Sequence, residues 1–273
     1  MTTLLSWMSV KGDQPSAIYI VTDSRITWGS AENRWDGGRK VFATRHGDIF
    51  GYCGEAFFPS QIIGQLCDLA NLDILWTEDT SAEEKNAIFV GCLRSSLSLS
   101  HADQHDDFWI LQFARDGDGP DCEFKGWKIK FRKAEPDSIQ CCELDLTCGG
   151  HSKLIATLGS GGAKLKNEIL ARKDQYQGGK ASVFFEAFCD LLEEQVDPLS
   201  GGAPQIVSID QESPGKFIGF KSGDDSYVGG FKVERTEAFQ EIEWRDETFT
   251  YLDWRTLKRA SGAQRNVKRP RKS

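Results

Sequence analysis

Thr2 is the residue of this sequence with the most specific chemical potential, because a threonine near the start of a chain can act as a nucleophile. A hydroxyl alone is weak, but an α-amine on the same residue can accept its proton as a general base. Such an amine has a pKa of about 7.7–8.0, and a nearby lysine lowers that pKa by like-charge repulsion. We expect removal of Met1, which a small residue at position 2 favours, to create this pair of groups.

A site of this kind also needs a cation, a carboxylate that holds the cation, and backbone donors for an oxyanion. Six segments that could supply them follow one another along the chain: TTLLSW, IVTDSRITWGS, RKV, GYCGEA, TLGSGG and DPLSGG. In this order they resemble the proteasome β-subunit group of N-terminal-nucleophile (Ntn) hydrolases, which includes the bacterial proteasome-like peptidases. The resemblance spans most of the chain.

The resemblance implies a role for each of seven residues. They are Thr2 as nucleophile, Asp23 and Lys40 as the ion pair beneath it, Ser160, Asp197 and Ser200 as hydrogen-bonded support for the amine, and Gly54 as the oxyanion donor. One oxyanion donor typically contributes about 3–4 kcal/mol of transition-state stabilisation.

Each of these residues also has a structural interpretation that needs no chemistry. Asp23 could end a turn, Lys40 could be a solvated strand residue, and Gly54 could mark a β-bulge. Ser160 could cap a helix, and Asp197 and Ser200 could be turn residues. Taken together, and in register with a threonine at position 2, the residues favour the catalytic interpretation.

The expected substrate pocket follows from the same resemblance. In the family, residues just after the DSR segment and around the oxyanion glycine line the pocket, which indicates Ile26, Thr27, Tyr52 and Ala56 here. Their side chains predict an apolar or aromatic pocket. Tyr52 and Ile26 could equally be core residues.

Composition excludes several other classes of protein. With 39% hydrophobic and 27% charged residues, the chain has globular usage, and no apolar run approaches the roughly 18–20 residues that cross a membrane. No leader segment is recognisable, so we expect a cytoplasmic protein. Four histidines and eight scattered cysteines form no metal-binding spacing, apart from His101 and His105 on an expected solvated loop. We therefore expect neither a metal nor a cofactor.

Charge is unevenly distributed along the sequence. The formal net charge is −8, but residues 255–273 contain eight basic and no acidic residues, which leaves −16 for the rest. This tail has no apolar periodicity and predicts a disordered basic arm. Nucleic-acid binding is not expected, because no aromatic residue is interleaved with the charges.

The order of predicted elements indicates the fold class. Two hairpins, at residues 2–24 and 39–54, give four strands, and two helices follow at 59–72 and 81–97. Strands then return over 107–158, helices at 161–173 and 180–196, and strands at 203–210, 215–220 and 226–233. Paired helices between groups of hairpin-connected strands predict an α+β fold, a four-layer αββα sandwich of two stacked, mainly antiparallel sheets.

The predicted organisation is one Ntn-hydrolase domain over residues 2–235 and a C-terminal extension over 236–273. The predicted function is a threonine-type hydrolase that cleaves peptide bonds through an acyl-enzyme on Thr2. The resemblance implies a peptide or protein substrate, a homo-oligomer, and an ATP-dependent unfoldase as partner. Two alternatives stay open, a catalytically silent scaffold or regulatory subunit and an Ntn acylase of a small amide.

Overall fold

The computed structural model describes residues 2–28, 30–100, 104–135, 139–176, 180–266 and 268. Two stacked sheets lie between two pairs of helices, which confirms the predicted αββα sandwich. The helices are α1 (Phe57–Asn71), α2 (Ala82–Leu99), α3 (Gly162–Tyr176) and α4 (Ala181–Glu193). The strands are β1 (Thr3–Lys11), β2 (Gln14–Thr22), β3 (Ile26–Trp28), β4 (Ser30–Trp35), β5 (Val41–Ala43), β6 (Asp48–Gly54), β7 (Phe108–Asp116), β8 (Glu123–Phe131), β9 (Ile139–Glu143), β10 (Lys153–Gly159), β11 (Gln205–Asp210), β12 (Lys216–Ser222), β13 (Asp225–Val228), β14 (Phe231–Lys232), β15 (Glu243–Asp246) and β16 (Tyr251–Leu252).

The larger sheet brings the start of β1 and the end of β2 together. Its main path runs β10-β1-β2-β11-β12-β13-β14, and β15 pairs in parallel with β12. In the antiparallel register of β1 and β2, Leu4 lies opposite Thr22. Thr2, two residues before Leu4, and Asp23, the residue after Thr22, therefore share one end of the sheet.

The smaller sheet has the order β5-β6-β7-β8-β9 and antiparallel pairing throughout. Lys40 directly precedes β5, and its carbonyl accepts a hydrogen bond from the backbone N–H of Tyr52 on β6 at 3.1 Å. Gly54 ends the same strand. This hairpin therefore places Lys40 and Gly54 near one edge of the sheet.

Three apolar layers hold the elements together. The first, between α1, α2 and the smaller sheet, includes Phe50 and Phe89, whose rings stack at 4.8 Å. The second fills the space between the sheets with side chains such as Leu4. The third packs α3 and α4 on the larger sheet around Trp7 and Phe185. Each of these side chains is fully buried, so the sheets are fixed against both helix pairs.

Most elements agree with the sequence prediction. The first hairpin, the β5–β6 hairpin and all four helices lie where the patterns indicate. The capping box of α2 is present, because Ser81 Oγ accepts from Glu84 N at 3.3 Å and Ser81 N donates to Glu84 Oε2 at 3.1 Å. In the described part of the chain, no helix is long and apolar enough to cross a membrane.

Two strand predictions are wrong. Six strands, not four, precede α1, because β3 and β4 form an additional hairpin. Their exposed Trp28 and Trp35 do not alternate with buried residues in the way that identifies a strand. Residues 226–233 are a hairpin and not one strand, since Gly229 and Gly230 have φ angles of +57° and +79° that turn the chain back.

Residues after 235 contribute to the larger sheet. A 3-10 helix (Glu237–Glu241) precedes β15, and Phe239 stacks on Trp244 with ring centroids 4.3 Å apart. Of the basic tail, residue 267 and residues 269–273 lie outside the described residues. Lys268 is described, and its Nζ lies 3.3 Å from Glu193 Oε2 on α4.

Asp48 at the start of β6 is a buried carboxylate in the hairpin that carries Lys40 and Gly54. Burial raises its pKa to about 6, although Lys85 lies 3.7 Å away and Thr44 and Trp76 donate hydrogen bonds at 2.9 and 3.1 Å. Its Oδ1 has no hydrogen-bond partner among the described residues. The folded protein therefore holds a proton on Asp48 at pH values where the unfolded chain has released it.

We predict that Asp48 makes the free energy of unfolding fall as the pH rises from about 4 to about 6, the window between its unfolded and folded pKa values. The contribution is at most about 3 kcal/mol, since one pKa unit corresponds to about 1.4 kcal/mol. Urea unfolding of the wild type and Asp48→Asn across this window measures it. The difference between the two proteins should change with pH; a constant difference would contradict the raised pKa.

Candidate active site

Thr2 lies immediately before β1, with 1% of its surface exposed, and its hydroxyl contacts a buried lysine. Lys40 Nζ donates to Thr2 Oγ1 at 2.8 Å, to Asp23 Oδ1 at 3.1 Å and to the carbonyl of Arg25 at 2.5 Å. An ammonium group has three N–H donors and no acceptor. All three donors of Lys40 are therefore used, and one is directed at the Thr2 hydroxyl.

Asp23 is fixed by the backbone on three sides. Its Oδ1 accepts from Thr3 N at 3.0 Å, and its Oδ2 accepts from Arg25 N at 3.1 Å and Gly201 N at 3.0 Å. The residue is fully buried at the end of β2. These donors stabilise the ionised carboxylate, which in turn holds Lys40 in place.

Opposing effects set the charge of Lys40. Burial lowers its pKa, because the ammonium is removed from water, while the carboxylate of Asp23 acts in the opposite direction. A buried cation next to a hydroxyl favours the alkoxide form of that hydroxyl. The arrangement is therefore suited to lowering the pKa of the Thr2 hydroxyl.

A second hydrogen-bonded group lies beside the first. Asp197 Oδ2 accepts from Ser160 Oγ at 2.5 Å and from Ser200 Oγ at 2.8 Å. Ser200 Oγ is also 2.8 Å from Thr3 Oγ1. The three residues that the resemblance implies as support are thus joined to each other and, through Thr3, to the start of β1.

Gly54 occupies a position that only glycine fits. Its φ angle is +102°, and a Cβ atom there would lie 2.3 Å from the carbonyl oxygen of Asp107. A backbone without a side chain can approach a substrate closely. Together with Thr2, Gly54 lines a cavity of about 530 Å³, so both reach the same space.

Three of the four expected substrate-binding residues line this cavity, namely Ile26, Thr27 and Ala56. Tyr52 does not, which corrects the prediction. It is 1% exposed and packs in the core beneath α1 and α2, where its hydroxyl donates to the carbonyls of Arg39 and Ala56 at 3.1 and 3.2 Å. Tyr52 shares the helix-facing side of β6 with Phe50, two residues earlier, and therefore packs under α1 and α2 and not into the cavity.

The sequence patterns did not identify the bidentate ion pair of Arg25 with Asp36, called here the clamp. Arg25 donates to both carboxylate oxygens of Asp36, at 2.7 and 2.8 Å, and to the carbonyls of Pro198 and Ser200 at 3.2 and 3.3 Å. The hydrogen bond from Arg25 lowers the pKa of Asp36. Arg25 lies inside the TDSR segment, but no pattern in the sequence indicates that Asp36, eleven residues later, is its partner.

Gln205 was missed as well. Its Oε1 accepts from Lys40 N at 3.0 Å, and its Nε2 donates to the carbonyl of Gly38 at 2.6 Å. Because Gln205 is fully buried at the start of β11, these bonds fix the backbone that carries Lys40. The glutamine of the APQ segment carries no sequence signal of such a role.

Neither histidine of the 101–105 spacing forms a described metal site. His101 lies outside the described residues. His105, expected on a solvated loop, packs on Phe58 with ring centroids 4.6 Å apart and lies 3.0 Å from Ser100 Oγ through its Nε2. In the described ranges, no three His, Cys, Asp or Glu side chains are grouped as metal ligands.

Comparison with known proteins shows the fold. No protein-family model matches the sequence, and no curated protein matches it. Among solved structures, the Anbu (Gly-1) mutant from Hyphomicrobium sp. strain MC1 is similar with a TM-score of 0.51 at 10% identity, covering 82% of this chain and 89% of that one. HslV from Trypanosoma brucei has a TM-score of 0.47 at 15% identity, covering 77% of this chain and 99% of that one. The likeness to this Anbu structure shows that the two chains share a fold.

We predict that Asp23→Asn lowers the free energy of unfolding by about 3 kcal/mol, as expected when buried donors and a buried cation lose their partner. Both oxygens of Asp23 accept hydrogen bonds, so an amide group faces a donor in either orientation. Urea unfolding measures the loss. The matched control is Asp225→Asn, in an exposed pair with Lys232, and should change little. Equal stability of the two variants would contradict this account of Asp23.

Proposed function

We propose that this chain is a threonine-type Ntn hydrolase that cleaves peptide bonds. Thr2, freed of Met1, is the nucleophile, and its own α-amine is the general base. The observation that carries the proposal is the placement of Thr2 Oγ1, 2.8 Å from the buried ammonium of Lys40, at the wall of a cavity that Gly54 also lines.

The proposed reaction has two halves. The α-amine of Thr2 takes the proton of Oγ1, which attacks the substrate carbonyl carbon, and the backbone N–H of Gly54 stabilises the oxyanion. The protonated amine then gives its proton to the departing amine of the substrate, and the peptide bond breaks. Water, deprotonated by the same α-amine, attacks the ester carbon; the bond to Oγ1 breaks, the amine returns its proton to Oγ1, and the carboxylic acid product leaves.

The remaining residues have supporting roles in this proposal. Lys40, held by Asp23, stabilises negative charge on Oγ1 in both halves. Asp197 with Ser160 and Ser200 orients the backbone around the amine. Ile26, Thr27 and Ala56 contact the substrate side chain, whereas Tyr52 supports Ala56 from the core.

We extend the proposal to the organisation of the protein. Residues 2–235 constitute the hydrolase domain, and residues 236–273 are an extension that ends in a basic arm. The functional form is a cytoplasmic homo-oligomer that receives unfolded protein from an ATP-dependent unfoldase. This part rests on the family resemblance, whereas the proposed chemistry rests on the contacts of Thr2 and Lys40.

We predict that Thr2→Ala abolishes peptide hydrolysis and that Thr2→Ser retains part of it, because serine keeps the hydroxyl and the α-amine. A panel of fluorogenic peptides gives the rates, and intact-mass measurement shows whether Met1 is absent and whether an acyl group remains on the protein. Thr80→Ala, in the loop before α2, is the control and should hydrolyse at the wild-type rate. Full activity of Thr2→Ala would refute the mechanism.

The same measurements separate the alternatives. A protein that keeps Met1 and hydrolyses nothing is a scaffold or regulatory subunit of the same fold. Turnover of small acyl-amides without turnover of peptides identifies an Ntn acylase, with Thr2 still required.

A further inference from the structure

We propose that the Thr2 cavity selects substrates with a cationic side chain, arginine above all. This inference rests on the proposed function and names the substrate class of the same site. It goes beyond the apolar or aromatic pocket expected from Ile26, Thr27 and Ala56, because residues of the 106–109 segment also line the cavity.

Aromatic rings with unusual exposure form part of the cavity wall. Trp28 at the end of β3 is 55% exposed and Phe57 at the start of α1 is 74% exposed, and Trp109 on β7 lines the same space. Large apolar side chains that stay exposed at a concave site mark a binding surface. Indole and phenyl faces also attract cations, and a guanidinium group can stack on them.

Two carboxylates lie beside the oxyanion position. Asp106 and Asp107 directly precede β7 and line the cavity, and the carbonyl of Asp107 accepts a hydrogen bond from Glu55 N at 3.0 Å. This contact places the pair next to Gly54, where an added Cβ would lie 2.3 Å from the carbonyl oxygen of Asp107. Both aspartates therefore line the space that a bound substrate side chain would enter.

The cations around the cavity do not cancel these charges. Lys40 is paired with Asp23, and the guanidinium of Arg25 is paired with Asp36. Both cations are already compensated, so neither offsets Asp106 or Asp107.

One further lysine approaches the two aspartates. Lys133 Nζ lies 3.0 Å from Asp106 Oδ1, and Lys133 N donates to Asp107 Oδ1 at 2.9 Å. The pair is exposed, with 52% of the Lys133 side chain and 76% of the Asp106 side chain accessible, so it is weak. One lysine against two aspartates leaves an excess of negative charge.

Glu55 adds a third carboxylate to the wall, although part of its charge is already engaged. Its side chain accepts from Phe57 N at 2.7 Å and from Phe58 N at 3.1 Å at the start of α1. A carboxylate there is stabilised by the N-terminus of the helix. Aromatic faces and carboxylates in one cavity match a planar guanidinium, which stacks on aromatic rings and donates two parallel hydrogen bonds to a carboxylate.

The test measures binding separately from cleavage. Three fluorescent peptides that differ at one position, with arginine, norleucine or glutamate, are titrated against Thr2→Ala, which cannot turn them over. We expect the arginine peptide to bind about tenfold more tightly than the norleucine peptide, and the glutamate peptide to bind most weakly. High salt should reduce the preference for arginine, since exposed charges are screened. Equal binding of all three peptides overturns the inference.

A double variant identifies the charges responsible. Adding Asp106→Asn and Asp107→Asn should reduce the preference for arginine to about twofold, while the amide oxygens can still accept the bond from Lys133 N. The matched control removes two exposed charges at the opposite end of β7 and β8, by Asp121→Asn and Glu123→Gln, and should keep the full preference. An unchanged preference in the first variant, or an equal loss in the control, overturns the assignment to this cavity.

Failure of this inference and failure of the proposed function give different results. Wild-type protein that cleaves peptides with no preference for arginine retains the proposed function and loses the inference. If Thr2→Ala binds the arginine peptide selectively but the wild-type protein cleaves no peptide, the inference holds and the proposed function is wrong.

Discussion

The buried ammonium of Lys40 is the interaction on which the geometry of the site depends. A cation removed from water must use all of its donors, and Lys40 uses them on Thr2, Asp23 and the carbonyl of Arg25. Thr2 lies before β1, Asp23 and Arg25 lie between β2 and β3, and Lys40 lies before β5, so three separate parts of the chain have to meet. The sandwich makes this possible, because the neighbouring register of β1 and β2 brings two of them to the same sheet end.

Close backbone approach is the second constraint, and it explains the glycines in the GSGG and SGG segments. A Cβ at Gly159 would lie 1.8 Å from the carbonyl oxygen of Thr2, and one at Gly161 would lie 2.0 Å from Thr3 Oγ1. A Cβ at Gly201 would overlap the guanidinium of Arg25 at 2.4 Å. Side chains at these positions would push the strands and loops of the site apart, so the backbone and not a large side chain fills this part of the fold.

The sequence predicts the elements whose apolar residues recur at a regular period and the site residues that lie in short motifs. Alternation and helical spacing identify the main strands and all four helices, and the segments with Thr2, Asp23 and Lys40 identify the residues that meet. Contacts made by loops have no such signature. The clamp between Arg25 and Asp36 joins residues on either side of the β3–β4 hairpin, and neither exposed strand of that hairpin alternates. Tyr52 was misplaced because closeness to Gly54 in the sequence does not reveal that α1 and α2 cover the side of β6 on which Tyr52 and Phe50 lie.

Charged groups inside the site are paired with one another, whereas those at its mouth are mainly solvated. The low local dielectric constant of the buried region explains the difference. Beneath Thr2, the side chains of Lys40 and Asp23 are both inaccessible to water, and their charges compensate one another. An unpaired charge at this depth would strongly destabilise the fold. At the mouth, Asp106 is largely exposed, so water solvates its carboxylate, and its ion pair with Lys133 is exposed and weak. The interior pair can therefore serve chemistry that is the same for every substrate. The exposed carboxylates need no buried partner, so under the proposed function they would act on the charge of the substrate, separately from the buried pair that acts in the reaction.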